Sequence, residues 1–140
     1  MKTSNECARK ILFEVSKIEY GETITVAKLQ EKIPEFSIEE VLYIVTSFNK
    51  EHYLTVLDKA SYDDNDVLRD HKIKGLTERG YKTLDLITDD SVWNEIKEKV
   101  ENFDELSIYT IFDIANKIMN VKYNNLFDLP KDLLIQSNRW

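Results

Sequence analysis

The sequence predicts an α+β fold that is mostly helical, and three observations support that prediction. Apolar residues recur at helical spacing along most of the 140 residues, and only three Gly and two Pro interrupt them. Two strand-like stretches, at residues 53–57 and 67–73, flank a polar turn and favour one β-hairpin. A hydrophobic content of 42% indicates a chain that buries a sizeable core.

The first two helices are predicted from their starts and stops. Thr3 followed by Glu6 matches a capping box, and an apolar stripe continues behind it until Gly21. Residues 22–25 predict a brief strand. The hydroxyl of Thr25 is expected to cap the second helix.

The third predicted helix has the clearest start in the chain. Ser37 is expected to cap it, Glu40 completes a capping box, and Phe36 can contact Val41 across the cap. The predicted exposed face of this helix consists of Glu39, Glu40, Tyr43, Thr46, Ser47 and Lys50.

The order of these elements predicts a winged helix-turn-helix of three helices and a β-hairpin wing. The second and third helices, joined through Pro34, give a helix-turn-helix outline. A first strand at Tyr53–Leu57, a polar turn at residues 61–66 and a returning strand then complete the hairpin. A hairpin directly after a helix-turn-helix is the element order of a winged helix.

A junction at residues 73–85 ends the wing and begins a helical extension. It reads as the end of a strand, a glycine turn at Gly75, and a helix capped by Thr77. Leu76 and Tyr81 occupy the positions of a hydrophobic staple across that cap, and Gly80 leaves room for close packing. The inward residues of the helix are expected to be Tyr81, Leu84 and Ile87.

The remaining chain predicts more helices and no second domain. A fifth helix begins at Asp90 or Ser91, and Ser107 can cap a sixth. We therefore expect one domain over residues 1–140, in which residues 1–88 form the winged-helix core and residues 89–140 a helical extension packed on it. The sequence assigns no role to residues 121–140.

Charge and cysteine content narrow the function classes. The formal net charge of −7 opposes non-specific nucleic-acid binding, which depends on phosphate neutralisation by Lys and Arg. A single cysteine suits a reducing compartment, and neither a secretory signal nor a run of ~20 apolar residues for a membrane span is visible. These features predict a cytoplasmic protein without a membrane partner.

Catalysis, metal binding and cofactor binding find no support in the residue patterns. Cys7 lies on an apolar helix stripe, where a thiol acts as a small hydrophobe. His52 and His71 lack metal-ligand spacing, and Asp89-Asp90 suits a helix N-terminus. No glycine-rich phosphate loop is present. We therefore expect a protein that is not an enzyme and carries no metal or cofactor.

Two kinds of binding surface remain open. The first is an acidic surface that docks on a basic face of a protein partner, with carboxylates in place of phosphates; it comprises Glu39, Glu40, Asp63, Asp64 and Asp66. The alternative is a DNA-binding patch that contacts phosphates; it comprises Lys50, Arg69, Lys72, Lys74, Arg79 and Lys82. Both readings compete with ordinary solvation of surface charges.

An apolar interface is a third possibility. The sixth helix carries more apolar residues than one core-facing stripe accommodates, so Tyr109 and Ile114 are expected to stay exposed. Such exposure would suit a homodimer through the C-terminal helices, whereas packing on the first helix would bury these residues.

One motif carries a resemblance to a known family. It reads Lys74-Gly75-Leu76-Thr77-Glu78-Arg79-Gly80-Tyr81, then Leu84-Asp85, Asp89-Asp90 and Val92-Trp93. This motif resembles the YjcQ-like proteins of Gram-positive bacteria and their phages, a family without an assigned function. The resemblance implies a winged-helix fold and a phage or mobile-element context, and it brings no catalytic residues. With it, we expect an interaction or regulatory protein acting on a protein partner, or alternatively a sequence-specific DNA-binding transcriptional regulator.

Overall fold

The computed structural model describes residues 4–57 and 72–126, with side chains described up to residue 121. The described residues confirm a mostly helical α+β fold with a small antiparallel sheet. Its elements are α1 (Asn5–Ser16), β1 (Ile24–Thr25), α2 (Val26–Lys32), α3 (Ile38–Lys50), β2 (Leu54–Val56), β3 (Lys72–Leu76), α4 (Glu78–Thr88), α5 (Asp90–Lys99), a 3-10 helix (Phe103–Glu105) and α6 (Ile108–Leu126).

Most helix starts follow the predicted caps. The hydroxyls of Thr25, Ser37 and Thr77 each accept a hydrogen bond of 3.1 Å from the backbone N–H three residues later. Ser107 does the same for α6, with an N···O distance of 3.2 Å. The first turn of each helix otherwise leaves N–H groups unpaired, and these hydroxyls satisfy one of them.

The predicted cap of α1 is wrong by one residue. Ser4, not Thr3, caps the helix, and its hydroxyl accepts from the N–H groups of Glu6 and Cys7 at 3.1 and 3.3 Å. The capping box fails because the Glu6 carboxylate is engaged elsewhere, on α5. Adjacent Ser and Thr offer the same local chemistry, so long-range contacts decided which one caps.

The three strands form a sheet in the order β1-β3-β2. The predicted glycine turn at Gly75 is wrong, because Gly75 lies within β3. Thr55 pairs with Gly75 but Val56 pairs with Ile73, so Lys74 is an extra residue in the ladder and forms a bulge. The φ angle of Gly75 is +155°, which glycine adopts without a side-chain penalty.

Strand β2 lies at one edge of the sheet. Its Val56 N–H points away from β3 and donates to the Asn49 side-chain oxygen at 3.1 Å. Asn49 is in the last turn of α3, so this helix closes part of the sheet edge.

The burial of α4 confirms Leu84 and Ile87 as inward residues and corrects Tyr81, which is 47% exposed. Gly80 is buried in its place. A Cβ atom on Gly80 would stand 2.1 Å from the carbonyl oxygen of Tyr53, so only glycine permits this approach. That contact turns residue 80 inward and therefore turns residue 81 towards solvent. The predicted role of Gly80 in close packing is confirmed.

Aromatic packing joins α6 to the N-terminal elements. Tyr53 lies 5.6 Å from Tyr109 and 5.4 Å from Phe112 between ring centroids, and Phe48 lies within 6.2 Å of both α6 rings. Tyr109 is therefore partly buried, and the expectation that it stays exposed is wrong. We call Phe48, Tyr53, Gly80, Tyr109 and Phe112 the aromatic seam.

Hydrogen bonds and charges join α1 to the end of α4 and to the elements that follow it. The buried Asn5 amide donates to the carbonyls of Phe103 and Leu106 at 2.8 and 3.2 Å. Glu6 accepts from Trp93 Nε1 at 2.7 Å and from Lys97 at 2.9 Å. Arg9 donates to the carbonyl of Ile87 and to Asp90, both at 2.8 Å. We call Asn5, Glu6 and Arg9 with these partners the polar seam.

Candidate interaction surfaces

The exposed face of α3 forms a shallow groove. Val41, Ile44, Val45 and Phe48 bury the other side of the helix. Tyr43 is 55% exposed at the centre of the groove, which encloses about 460 Å³. The groove is lined by Glu39, Leu42, Tyr43, Thr46, Ser47 and Lys50.

Two predicted members of this face have structural partners. The Glu40 carboxylate accepts from the backbone N–H of Ser4, at the start of α1. The Ser47 hydroxyl is hydrogen-bonded to the Tyr109 hydroxyl of α6 at 2.5 Å. Both residues therefore hold neighbouring helices and present less to solvent than Glu39 and Tyr43 do.

The charge of the α3 face is unevenly distributed. Glu39 and Glu40 lie in its first turn, where the helix dipole favours carboxylates, and Lys50 lies in its last turn. In DNA-binding proteins of this type, the N-terminal residues of the recognition helix contact the bases. DNA bound in that way would therefore meet carboxylates at the N-terminal end of α3. Asp63, Asp64 and Asp66 fall outside the described residues.

The predicted basic patch separates into different environments. Lys72 and Lys74 are exposed on β3. Arg79 donates to the carbonyl of Glu51 at 2.9 Å and lies 4.4 Å from the Tyr53 ring centroid, so it helps hold the start of α4. Lys82 pairs with Glu78 at 3.2 Å on the same helix. Arg69 falls outside the described residues.

A second concave surface, absent from the sequence-based candidates, lies on the outer face of the sheet. We call it the outer-face cleft; it encloses about 580 Å³. Its apolar side chains come from three places: the loop between α1 and β1, the end of β2, and the β3–α4 junction. It is lined by Ile18, Glu19, Tyr20, Gly21, Glu22, Thr23, Thr55, Leu57, Lys74, Gly75, Leu76 and Tyr81.

A partial signal for this cleft existed in the sequence. Strand alternation places Thr55 and Leu57 on the face opposite Leu54, and Leu54 is buried. Leu57 was therefore a candidate for exposure. The contribution of Tyr20 could not be inferred, because its loop reaches the cleft only once β1 has paired with β3.

The buried Cys7 thiol is not a reactive group. Cys7 is fully buried, and burial, reinforced by the carboxylates of Glu40 and Glu35, raises the pKa of its thiol to about 12. A thiol with that pKa stays protonated and unreactive near neutral pH. Among residues 4–57 and 72–126, no group of three His, Cys, Asp or Glu side chains converges as metal ligands would.

The length and apolarity of the described helices bear on membrane insertion. None of those within residues 4–57 and 72–126 has the length and apolarity needed to cross a bilayer.

Comparison with known proteins gives one family. Residues 2–106 match the family described as "Hypothetical protein (DUF2513)", and the chain belongs to this family. That description assigns no activity. No curated protein and no solved structure matches the chain. The resemblance to YjcQ-like proteins stays a prediction.

Proposed function

We propose that the chain is a non-catalytic winged-helix protein that acts by binding a protein partner through the exposed face of α3. The observation that carries this proposal is Tyr43, a half-exposed aromatic side chain that lines a groove together with the Glu39 carboxylate. Tyrosine is enriched at protein interfaces because it combines apolar area with a hydrogen-bonding hydroxyl.

The element order supports the winged-helix part of the proposal. The first six described elements follow the order α1-β1-α2-α3-β2-β3. The sheet order β1-β3-β2 places the strand before the helix-turn-helix beside the returning strand of the hairpin. In this arrangement α3 occupies the position of the recognition helix.

The resemblance to YjcQ-like proteins extends the proposal to biological context. It supports a phage or bacterial mobile element as the source of the chain, and the single cysteine supports a cytoplasmic location. An acidic inhibitor of a nucleic-acid-processing host enzyme is a special case, in which Glu39 and the wing carboxylates occupy phosphate positions. Self-association through the C-terminal helices is a further part of this proposal, and Tyr109 contributes less to it because its ring packs inside the chain.

A sequence-specific DNA-binding regulator is the second candidate. Lys72 and Lys74 favour it, because both are exposed and neither forms an ion pair with a described residue. The engagement of Arg79 and Lys82 and the carboxylates on α3 oppose it.

Affinity capture from a lysate of the bacterium that encodes the chain tests the preferred function. The wild-type chain is expected to enrich a specific protein, and Tyr43→Ser is expected to reduce its recovery by about tenfold or more, as loss of an interface aromatic does. Phe13→Ser is the matched control, since Phe13 is an exposed aromatic residue of α1 that lines neither the α3 groove nor the outer-face cleft. Equal recovery by the wild type and Tyr43→Ser would remove the α3 face as the interface.

Duplex binding separates the two candidates. Duplexes are first selected on the chain from a random DNA pool. A fluorescence-polarisation titration of the selected duplexes at several salt concentrations is expected to show no submicromolar binding. Tight binding that weakens with salt and with Lys72→Ala or Lys74→Ala would instead establish the DNA-binding regulator.

A further inference from the structure

The outer-face cleft concentrates exposed apolar area. Among described residues the large exposed hydrophobic side chains are Phe13, Tyr20, Tyr43, Leu57, Tyr81 and Val121. Tyr20, Leu57 and Tyr81 all line this cleft, although they come from three separate segments. Single exposed apolar residues are ordinary, but a contiguous patch usually marks an interface.

Charged groups of both signs border this apolar surface. Glu19 and Glu22 lie in the loop before β1, whereas Lys74 lies on the central strand β3. None of these three side chains forms an ion pair with another described residue. The lysines of α5 differ, because Lys97 and Lys99 each pair with a glutamate at 2.9 Å.

We propose that the outer-face cleft binds a short segment of a partner protein that presents a large apolar side chain together with an acidic group and a basic group. The apolar side chain would contact Tyr20, Leu57 and Tyr81. The acidic group would lie on Lys74, and the basic group on Glu19 and Glu22. Because Lys74 lies on β3 and the glutamates lie in the loop before β1, the opposite charges favour one orientation of the segment over its reverse.

The size and surroundings of the cleft favour a segment over other modes of binding. A volume of about 580 Å³ accommodates a few side chains, as compact ligand sites do. Addition of a strand to β2 is disfavoured, because Asn49 already accepts from the Val56 N–H. Side-chain contacts on the sheet face therefore supply the recognition.

This surface is separate from the α3 face. No residue lines both the outer-face cleft and the α3 groove. The inference therefore goes beyond the proposed function, and each surface can be tested while the other stays intact.

Selection from a phage-displayed library of random linear peptides tests the proposal, with the full chain as bait. Recovered peptides are then synthesised, and their dissociation constants are measured by fluorescence polarisation. We expect the peptides to share one aromatic or large aliphatic residue together with an acidic residue and a basic residue. Tyr81→Ser is expected to weaken their binding about tenfold or more. Lys74→Glu is expected to weaken the binding of these peptides. When the Lys74→Glu chain is itself used as bait, we expect the selected peptides to carry a basic residue where those selected by the wild type carry an acidic one.

The controls make every outcome decisive. Tyr81 and Lys74 are exposed, so circular dichroism should show both variants folded. Phe13→Ser, which changes an exposed aromatic residue outside both surfaces, should bind the peptides as the wild type does. The proposal is overturned if no peptide is recovered that binds the wild type more tightly than it binds Tyr81→Ser. It is also overturned if Lys74→Glu leaves the dissociation constants of the peptides unchanged. Self-association of the wild type that Tyr81→Ser abolishes would also overturn it, and would assign the cleft to a second copy of the chain.

Discussion

The aromatic seam and the polar seam both join early elements of the chain to later ones, but they do so by different physics. The aromatic seam depends on shape. The Tyr53 carbonyl contacts Gly80 where no side chain fits, and the Tyr53 ring packs on Tyr109 and Phe112. The polar seam depends on hydrogen bonds and charge around Asn5 and Glu6. The stability that the aromatic seam provides should therefore depend on side-chain volume. The stability that the polar seam provides should depend on the protonation of Glu6.

Gly80→Ala should have the largest effect. The new Cβ atom would stand 2.1 Å from a backbone oxygen that also accepts from the Thr77 N–H, so α4 must shift away from β2. We expect the free energy of unfolding to fall by about 3 kcal/mol, even though alanine favours the helix. Urea denaturation measures this difference.

Gly21→Ala is the matched control for that substitution. Nothing lies within 4 Å of its added Cβ atom, and only its φ of +86° opposes alanine. The expected cost is about 1 kcal/mol. Equal losses for the two variants would show that the aromatic seam is not limited by volume.

Asn5→Ala should have an intermediate effect, on the polar seam. The substitution leaves the carbonyls of Phe103 and Leu106 without their side-chain donor at a site where Asn5 is 3% exposed. We expect a loss of about 2 kcal/mol, measured by urea denaturation. Asn94→Ala, on the exposed side of α5, should change stability by less than ~0.5 kcal/mol, and a similar loss there would contradict the role of Asn5.

Glu6→Gln should have the smallest effect at neutral pH and the clearest pH dependence. Burial alone would raise the pKa of Glu6, but hydrogen bonds from Trp93 and Lys97 outweigh it and hold the pKa below the ordinary value of 4.5. The ionised form therefore stabilises the fold above pH 4.5, and this contribution is lost as pH falls through the lowered pKa.

The expected loss for Glu6→Gln is about 1 kcal/mol at pH 7, shrinking below pH 4.5. Urea denaturation at a series of pH values measures the difference between variant and wild type. Glu98→Gln, an exposed change on α5, should lower stability at pH 7 by less than ~0.5 kcal/mol. A pH-independent loss for Glu6→Gln would mean that its charge does not stabilise the polar seam.

Local hydrogen bonding explains which parts of the fold the sequence predicts well. The caps at Thr25, Ser37 and Thr77 depend on residues three positions apart, so a short motif is sufficient. The cap at Ser4 was missed because Glu6 bonds to Trp93, which lies 87 residues further along the chain. Local motifs do not contain that information.

The sequence predicts the candidate surfaces less completely. The exposed face of α3 follows from helical spacing, and Tyr43 and Glu39 are indeed exposed there. The outward direction of Tyr81 was missed because the contact between Gly80 and Tyr53 sets the rotation of α4. The outer-face cleft needs three segments to converge on one sheet, and pairing of those segments is a long-range property.

The hydrogen bond from Val56 to Asn49 has a consequence for how the chain behaves when concentrated. An edge strand with unpaired N–H groups is a template on which another molecule can add a strand and begin aggregation. The Asn49 side chain occupies one of these donors in β2, and a three-residue strand offers few others. A single amide from the neighbouring helix thus protects the β2 edge of the described sheet against intermolecular pairing, and this protection does not depend on net charge.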